Sequence, residues 1–109
     1  MKRQMSAALE SEVARILREA GVQFLENPAI GGVQPDFLVQ STDGRRYVLE
    51  VKGWASDPHH LARAVSQARL FQTATGADGA FVVLPNIEEG DPKRGFLALH
   101  EVAHWAAGD

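Results

Sequence analysis

Residues 35–53, PDFLVQSTDGRRYVLEVKG, constrain the fold more than any other stretch. Phe37 and Val39 alternate with Asp36, Leu38 and Gln40. Tyr47, Leu49 and Val51 alternate with Val48, Glu50 and Lys52. A period of two specifies strands. The intervening Ser41-Thr42-Asp43-Gly44-Arg45 is a turn sequence, so the stretch predicts a β-hairpin. A turn centred on Asp43 pairs Val39 with Tyr47, Phe37 with Leu49 and Asp36 with Glu50. This register is self-consistent. It gathers Phe37, Val39, Tyr47, Leu49 and Val51 on one buried face. It also sets Asp36 beside Glu50 on the other face, with Lys52 next along.

Helical patterns flank the hairpin. From about Ser6 to Ala20, Leu9, Val13, Ile16, Leu17 and Ala20 form one stripe, with Ser6 as the expected N-cap and Gly21 as the stop. Val22 to Leu25 reads as a short strand, followed by a turn-rich loop, Asn27 to Gly32. Ser56-Asp57-Pro58 opens a second helix, with Leu61, Val65, Ala68 and Phe71 or Gln72 as its stripe and Gly76 closing it. Ala80 to Leu84 is a continuous apolar run, read as a buried strand. Ile87 to Gly95 reads as a polar, mobile loop, Phe96 to Leu99 as a last strand, and Glu101 to Ala107 as a last helical turn or two. The order α-β-β-β-α-β-β-α predicts an α/β sandwich on a central sheet. At 109 residues and 45% apolar, the chain suits a single domain and is too apolar for a disordered one.

Three charges inside strongly apolar strands call for a chemical account. A solvated face of ion pairs is the ordinary one, yet Pro35 and the flanking hydrophobic residues place these charges where burial is costly. Two adjacent carboxylates repel unless a cation lies between them. Hard divalent cations such as Mg²⁺ or Mn²⁺ take one or two carboxylates and keep waters for a phosphate-bearing substrate. A neighbouring lysine can orient water and stabilise charge building on a phosphate. Asp36, Glu50 and Lys52, with the Val51 carbonyl between the last two, therefore suit metal-assisted phosphodiester hydrolysis.

Pro35-Asp36 followed by Glu50-Val51-Lys52, within QPDFLV and YVLEVKG, resembles the PD-(D/E)xK nuclease superfamily, the fold of type II restriction enzymes and archaeal Holliday junction resolvases. The resemblance extends from about Ser6 to Leu84. It implies a restriction-endonuclease-like α-β-β-β-α-β core with a mixed central sheet flanked by helices. It implies that Asp36 and Glu50 hold the metal and that Lys52 assists the attacking water. LESEVARILREAG is similar to the first helix of junction resolvases and virus-type replication-repair nucleases, which implies a metal-associated acid at Glu10, with Glu12 as its competitor. Gln67-Ala68-Arg69-Leu70-Phe71 resembles the family's glutamine helix and implies that Gln67 positions the metal site or the DNA.

His60, Arg63 and Gln67 share a helix face at i, i+3 and i+7. Arg63, Arg69 and His60 are the candidate nucleic-acid contacts, whereas Arg45-Arg46 at the hairpin tip reads as solvation. His59 reads as an exposed or capping residue, and Trp54 as core more than as a stacking platform. A net charge of −3 excludes a broadly basic binder, so any nucleic-acid site is local. Such a small chain makes few phosphate contacts, so a homodimer or a separate DNA-binding partner protein is expected beside the DNA substrate. The alternative is a module of the same fold that binds nucleic acid or protein without catalysis.

His100-Glu101-Val102-Ala103-His104 matches HExxH, the helix signature of zinc peptidases. No third ligand follows it in the five residues after His104, and Phe96 to Leu99 places His100 at a strand–helix junction. Leu99, Val102 and Ala106 suffice as the packing stripe of a terminal helix. There is no cysteine, so disulfides and thiolate chemistry are excluded. No apolar run approaches the about 20 residues of a membrane span. The first five residues lack the apolar stretch of a secretory signal, so a cytoplasmic protein without a membrane partner is expected.

Overall fold

The hairpin forms in the register that its apolar alternation dictates. In the computed structural model, β2 (Phe37–Gln40) pairs antiparallel with β3 (Arg46–Val51), Phe37 opposite Leu49 and Val39 opposite Tyr47. The backbone is described for residues 2–53 and 57–108, and side chains for residues 7–53 and 57–108. Trp54 and Ser56 lie outside the described residues. β1 (Gln23–Glu26) adds antiparallel to the free edge of β2. A crossover through α2 (Pro58–Thr75) brings β4 (Gly79–Leu84) parallel to β3, and β5 (Phe96–Ala98) pairs parallel with β4. The result is an α/β fold with a five-stranded mixed sheet in the order β1-β2-β3-β4-β5. The helices are α1 (Lys2–Ala20), α2 and α3 (Val102–Ala106).

Alternation sends the strand residues into two cores. Phe37, Val39, Leu49, Val51 and Val83 pack with Val13 and Leu17 of α1 and with Val102 and Ala106 of α3. Tyr47, Phe81 and Trp105 close that core with edge-to-face ring contacts of Trp105 on both partners. On the opposite face Val82 and Leu84 pack against Ala64, Val65 and Ala68 of α2. Glu50 has the parity of Val48, and so belongs to the α2 side of β3.

The helix ends follow local chemistry. The Asp57 carboxylate caps α2 by accepting from the His60 N–H at 2.9 Å, Pro58 fills the first turn, and Gly76 ends the helix at φ 73°. Gly21 ends α1 at φ 75°. Three expectations are corrected. Ser6 is not the N-cap of α1, because the helix runs back to Lys2. Residues 2–5, KRQM, are all good helix formers, so propagation past a weak stop signal is favoured. Residues 87–95 are not a free loop. Pro92–Arg94 forms a 3₁₀ turn, and Asp91 and Phe96 hydrogen-bond each other's backbone in both directions. The last helix is preceded by a second 3₁₀ turn, Leu99–Glu101, and α3 proper begins at Val102.

Candidate active site

Asp36 and Glu50 are locked together at the end of the hairpin. Pro35 cannot donate to a ladder and stands just before β2, so regular pairing gives way to side chains there. The Asp36 N–H donates to Glu50 Oε2 at 2.6 Å, and the Val51 N–H donates to Asp36 Oδ2 at 2.8 Å. The Asp36 carbonyl in turn accepts from the Asn27 N–H at 2.8 Å. Each carboxylate thus uses one oxygen on the opposite strand's backbone. The second oxygen of Glu50 takes no hydrogen bond from the described residues.

Glu10 approaches the pair from α1, near enough to Asp36 for the two carboxyls to shift each other. Glu12 is turned away, paired with Arg15, which also holds Glu19. Of the two helix acids, Glu10 is therefore the one at the site. All three carboxyls are shifted up. Burial and the Asp36 charge push Glu50 up to about 7. Burial raises Asp36 despite the Val51 N–H and the Lys52 charge, and burial, then Asp36, raises Glu10. Lys52 stands close enough to act on both Asp36 and Glu50. Its own amide is fixed on the Val83 carbonyl at 3.0 Å.

No family model, curated protein or solved structure matches the chain.

Two adjacent carboxyls held at raised proton affinity, first by burial and at Glu50 also by the Asp36 charge, are what a hard divalent cation would neutralise. In an extended strand a residue's N–H and C=O point to the same side, so the Val51 carbonyl shares the flank on which its N–H meets Asp36. Among the described residues no three acidic or histidine side chains already converge tightly enough to enclose an ion.

The remaining candidates lie on α2. Gln67, Arg63 and His60 are exposed, and none contributes a hydrogen bond to either carboxylate. Arg69 leaves the helix on a different side, with Ala62, Val65 and Ser66, facing the turn before β5. Arg15, Arg18 and Arg45 are ion-paired, whereas Lys52, Arg63, Arg69, Lys93 and Arg94 make no ion pair among the described residues. The basic groups of α2 and of the sheet ends beside it are thus the ones left for an external anion. Lys93 and Arg94 escape a sequence reading because residues 87–95 carry no helix or strand periodicity; the Lys-Arg pair before Gly95 is the only hint.

The HExxH match has another job. Glu101 Oε1 accepts from the Gly90 N–H at 2.9 Å and the Ala98 N–H at 2.7 Å, clamping residues 87–95 to β5. A ring nitrogen of His100 meets the Glu88 carbonyl at 2.7 Å. Glu101→Ala is expected to lower unfolding free energy by about 1–3 kcal/mol, because two N–H groups lose their acceptor. Denaturant unfolding and zinc content measured together check this; zinc that copurifies and is lost in the variant would restore the peptidase reading.

Proposed function

We propose that this chain is a divalent-metal-dependent nuclease of the PD-(D/E)xK type, hydrolysing phosphodiester bonds in DNA. The observation that carries it is the convergence of Glu10, Asp36, Glu50 and Lys52 at one end of the hairpin. The α-β-β-β-α-β order on a mixed sheet supports a restriction-endonuclease-like arrangement. Asp36 and Glu50 would hold Mg²⁺ or Mn²⁺, with the Val51 carbonyl beside them. The ion supplies charge neutralisation and an acidified water when bound. Lys52 orients the attacking water and stabilises charge gathering on the phosphate. Glu10, beside Asp36 from α1, helps to orient that carboxylate. Arg63, with His60 and Gln67 along the same helix face, positions the strand through its phosphates. The proposal places the protein in the cytoplasm, acting as a homodimer or beside a DNA-binding partner. Among the described residues no helix is long and apolar enough to cross a membrane.

The backbone clamps on Asp36 and Glu50 favour one other reading, a non-catalytic binding module in which these acids only terminate the hairpin. Cleavage separates the two. Junction, flap, nicked, single-stranded and duplex DNA are incubated with Mg²⁺, Mn²⁺ or EDTA. Cutting with metal and none in EDTA is expected. Folded protein that cuts nothing with either metal sinks the nuclease and leaves the module.

A further inference from the structure

A hollow of about 700 Å³ lies between the first half of α2 and the turn before β5. None of Glu10, Asp36, Glu50 or Lys52 lines it. Its floor is apolar, built from Leu61, Val65, Leu84 and Phe96. Its rim carries Arg69 from α2 and Lys93 and Arg94 from the turn. These three cations have no acidic partner among the described residues. Two acids also face the hollow. The Asp57 carboxylate is committed to His60, whose N–H and ring nitrogen it meets at 2.9 and 3.0 Å, and Glu89 stands exposed at the edge.

The basic rim is held in place. Gly95, at φ 94°, lets the turn press against α2; a Cβ there would meet Val65 Cγ1 at 2.9 Å. The same position is 3.8 Å from an Arg69 guanidinium nitrogen, so Arg69 lies alongside the turn. The backbone pairing of Asp91 with Phe96 and the Gly95 N–H on the Pro92 carbonyl fix its shape. The Arg94 guanidinium sits over the Phe96 ring, 5.8 Å from its centroid. Three cations without an ion-pair partner among the described residues, around an apolar floor, match an anion that carries a flat apolar body. The volume falls in the about 300–1,000 Å³ range of small-molecule sites, well beyond a bare phosphate.

We propose that this hollow binds one nucleotide unit, its phosphate held by Arg69, Lys93 and Arg94 and its base laid against the Leu61–Val65–Phe96 floor. The unit is either a free nucleotide or one residue of a single strand. The site needs neither metal nor the acid pair, so it stands or falls apart from the nuclease function.

The test is equilibrium binding in EDTA, on Lys52→Ala protein as background, with a nucleoside monophosphate, a labelled single-stranded oligonucleotide and its abasic counterpart. Arg69→Ala, Lys93→Ala and Arg94→Ala are compared with Arg45→Ala, whose guanidinium already faces Asp43. All four side chains are exposed, and thermal unfolding confirms that the variants fold. Each rim substitution should weaken binding about 5- to 10-fold, the loss of roughly 1–1.4 kcal/mol. For the strand, the slope of log K against log salt should fall by about 0.7 per cation removed. Arg45→Ala should change neither. Binding of the monophosphate identifies a free nucleotide as a source, and binding of the strand alone identifies the strand. No binding of either probe overturns the proposal, as does equal weakening by Arg45→Ala. An abasic strand that binds as tightly as the normal one removes the base from the site and overturns it too. Binding that depends on the rim in a protein that never cleaves DNA would keep this site while sinking the nuclease. Metal-dependent cleavage by a protein whose rim binds neither probe would do the reverse.

Discussion

Lys52→Ala is expected to reduce metal-dependent DNA cleavage by about 10²–10⁴-fold, the ordinary loss when a positioned proton-transfer or charge-stabilising group is removed. The fold should persist. Lys52 is half-buried, and the described contact that fixes it is made by its amide on the Val83 carbonyl, which any residue retains. Its side chain acts on the site through attraction to Asp36 and Glu50. Removing it leaves those carboxyls still more reluctant to ionise, so metal binding should weaken as well as turnover slow. Single-turnover rates across a metal titration separate the two, because saturating metal recovers only the binding part. The unfolding midpoint should correspond to a change of at most about 0.5 kcal/mol, as for surface substitutions. Unchanged cleavage would remove Lys52 from the mechanism. A loss of stability of several kcal/mol would give it a structural role instead.

How much of this was legible beforehand divides by the range of the forces involved. The hairpin register was legible because the turn centred on Asp43 and the alternation of Phe37, Val39, Leu49 and Val51 agree on one pairing, which buries those four together. That register brought Asp36 to Glu50 without any tertiary knowledge. The order of the helices and strands also follows from local periodicity and from Gly21, Pro58 and Gly76 at helix boundaries. Contacts between distant segments were not legible. Whether Glu10 or Glu12 reaches Asp36 depends on how α1 rotates over the sheet, which Val13 and Leu17 decide by burial. The tethering of residues 87–95 depends on Glu101, which looked like half of a zinc motif because its two backbone partners come from other segments. The α2 periodicity grouped Arg69 with the other exposed polar residues. It could not show that the turn before β5 folds up against that side of the helix.

Glu50→Gln should remove the largest part of the pH dependence of stability at this site while abolishing its use of metal. Glu50 is only 4% exposed, and its carboxyl is pushed up to about 7 from an ordinary 4.5. The folded state therefore holds this proton more tightly than the unfolded chain does. Its contribution is present in full below pH 4.5 and is lost as pH rises through about 7. The gap corresponds to about 3 kcal/mol. Asp36 and Glu10 are raised in the same direction, so the metal-free protein should be distinctly less stable at pH 8 than at pH 5. A glutamine keeps an oxygen for the Asp36 N–H and never ionises. The variant should match the parent at pH 5 and exceed it at pH 8 by up to about 3 kcal/mol, read from urea unfolding at both values. Mg²⁺ at about 100 times its dissociation constant should return about 2.7 kcal/mol to the parent at pH 8, and little to the variant. Parallel pH curves for the two proteins would show that Glu50 ionises freely in the folded state. Equal stabilisation of both by Mg²⁺ would place the ion elsewhere. A parent that Mg²⁺ does not stabilise at pH 8 would leave the raised carboxyls as the cost of closing the hairpin with side chains, and the binding module as their account.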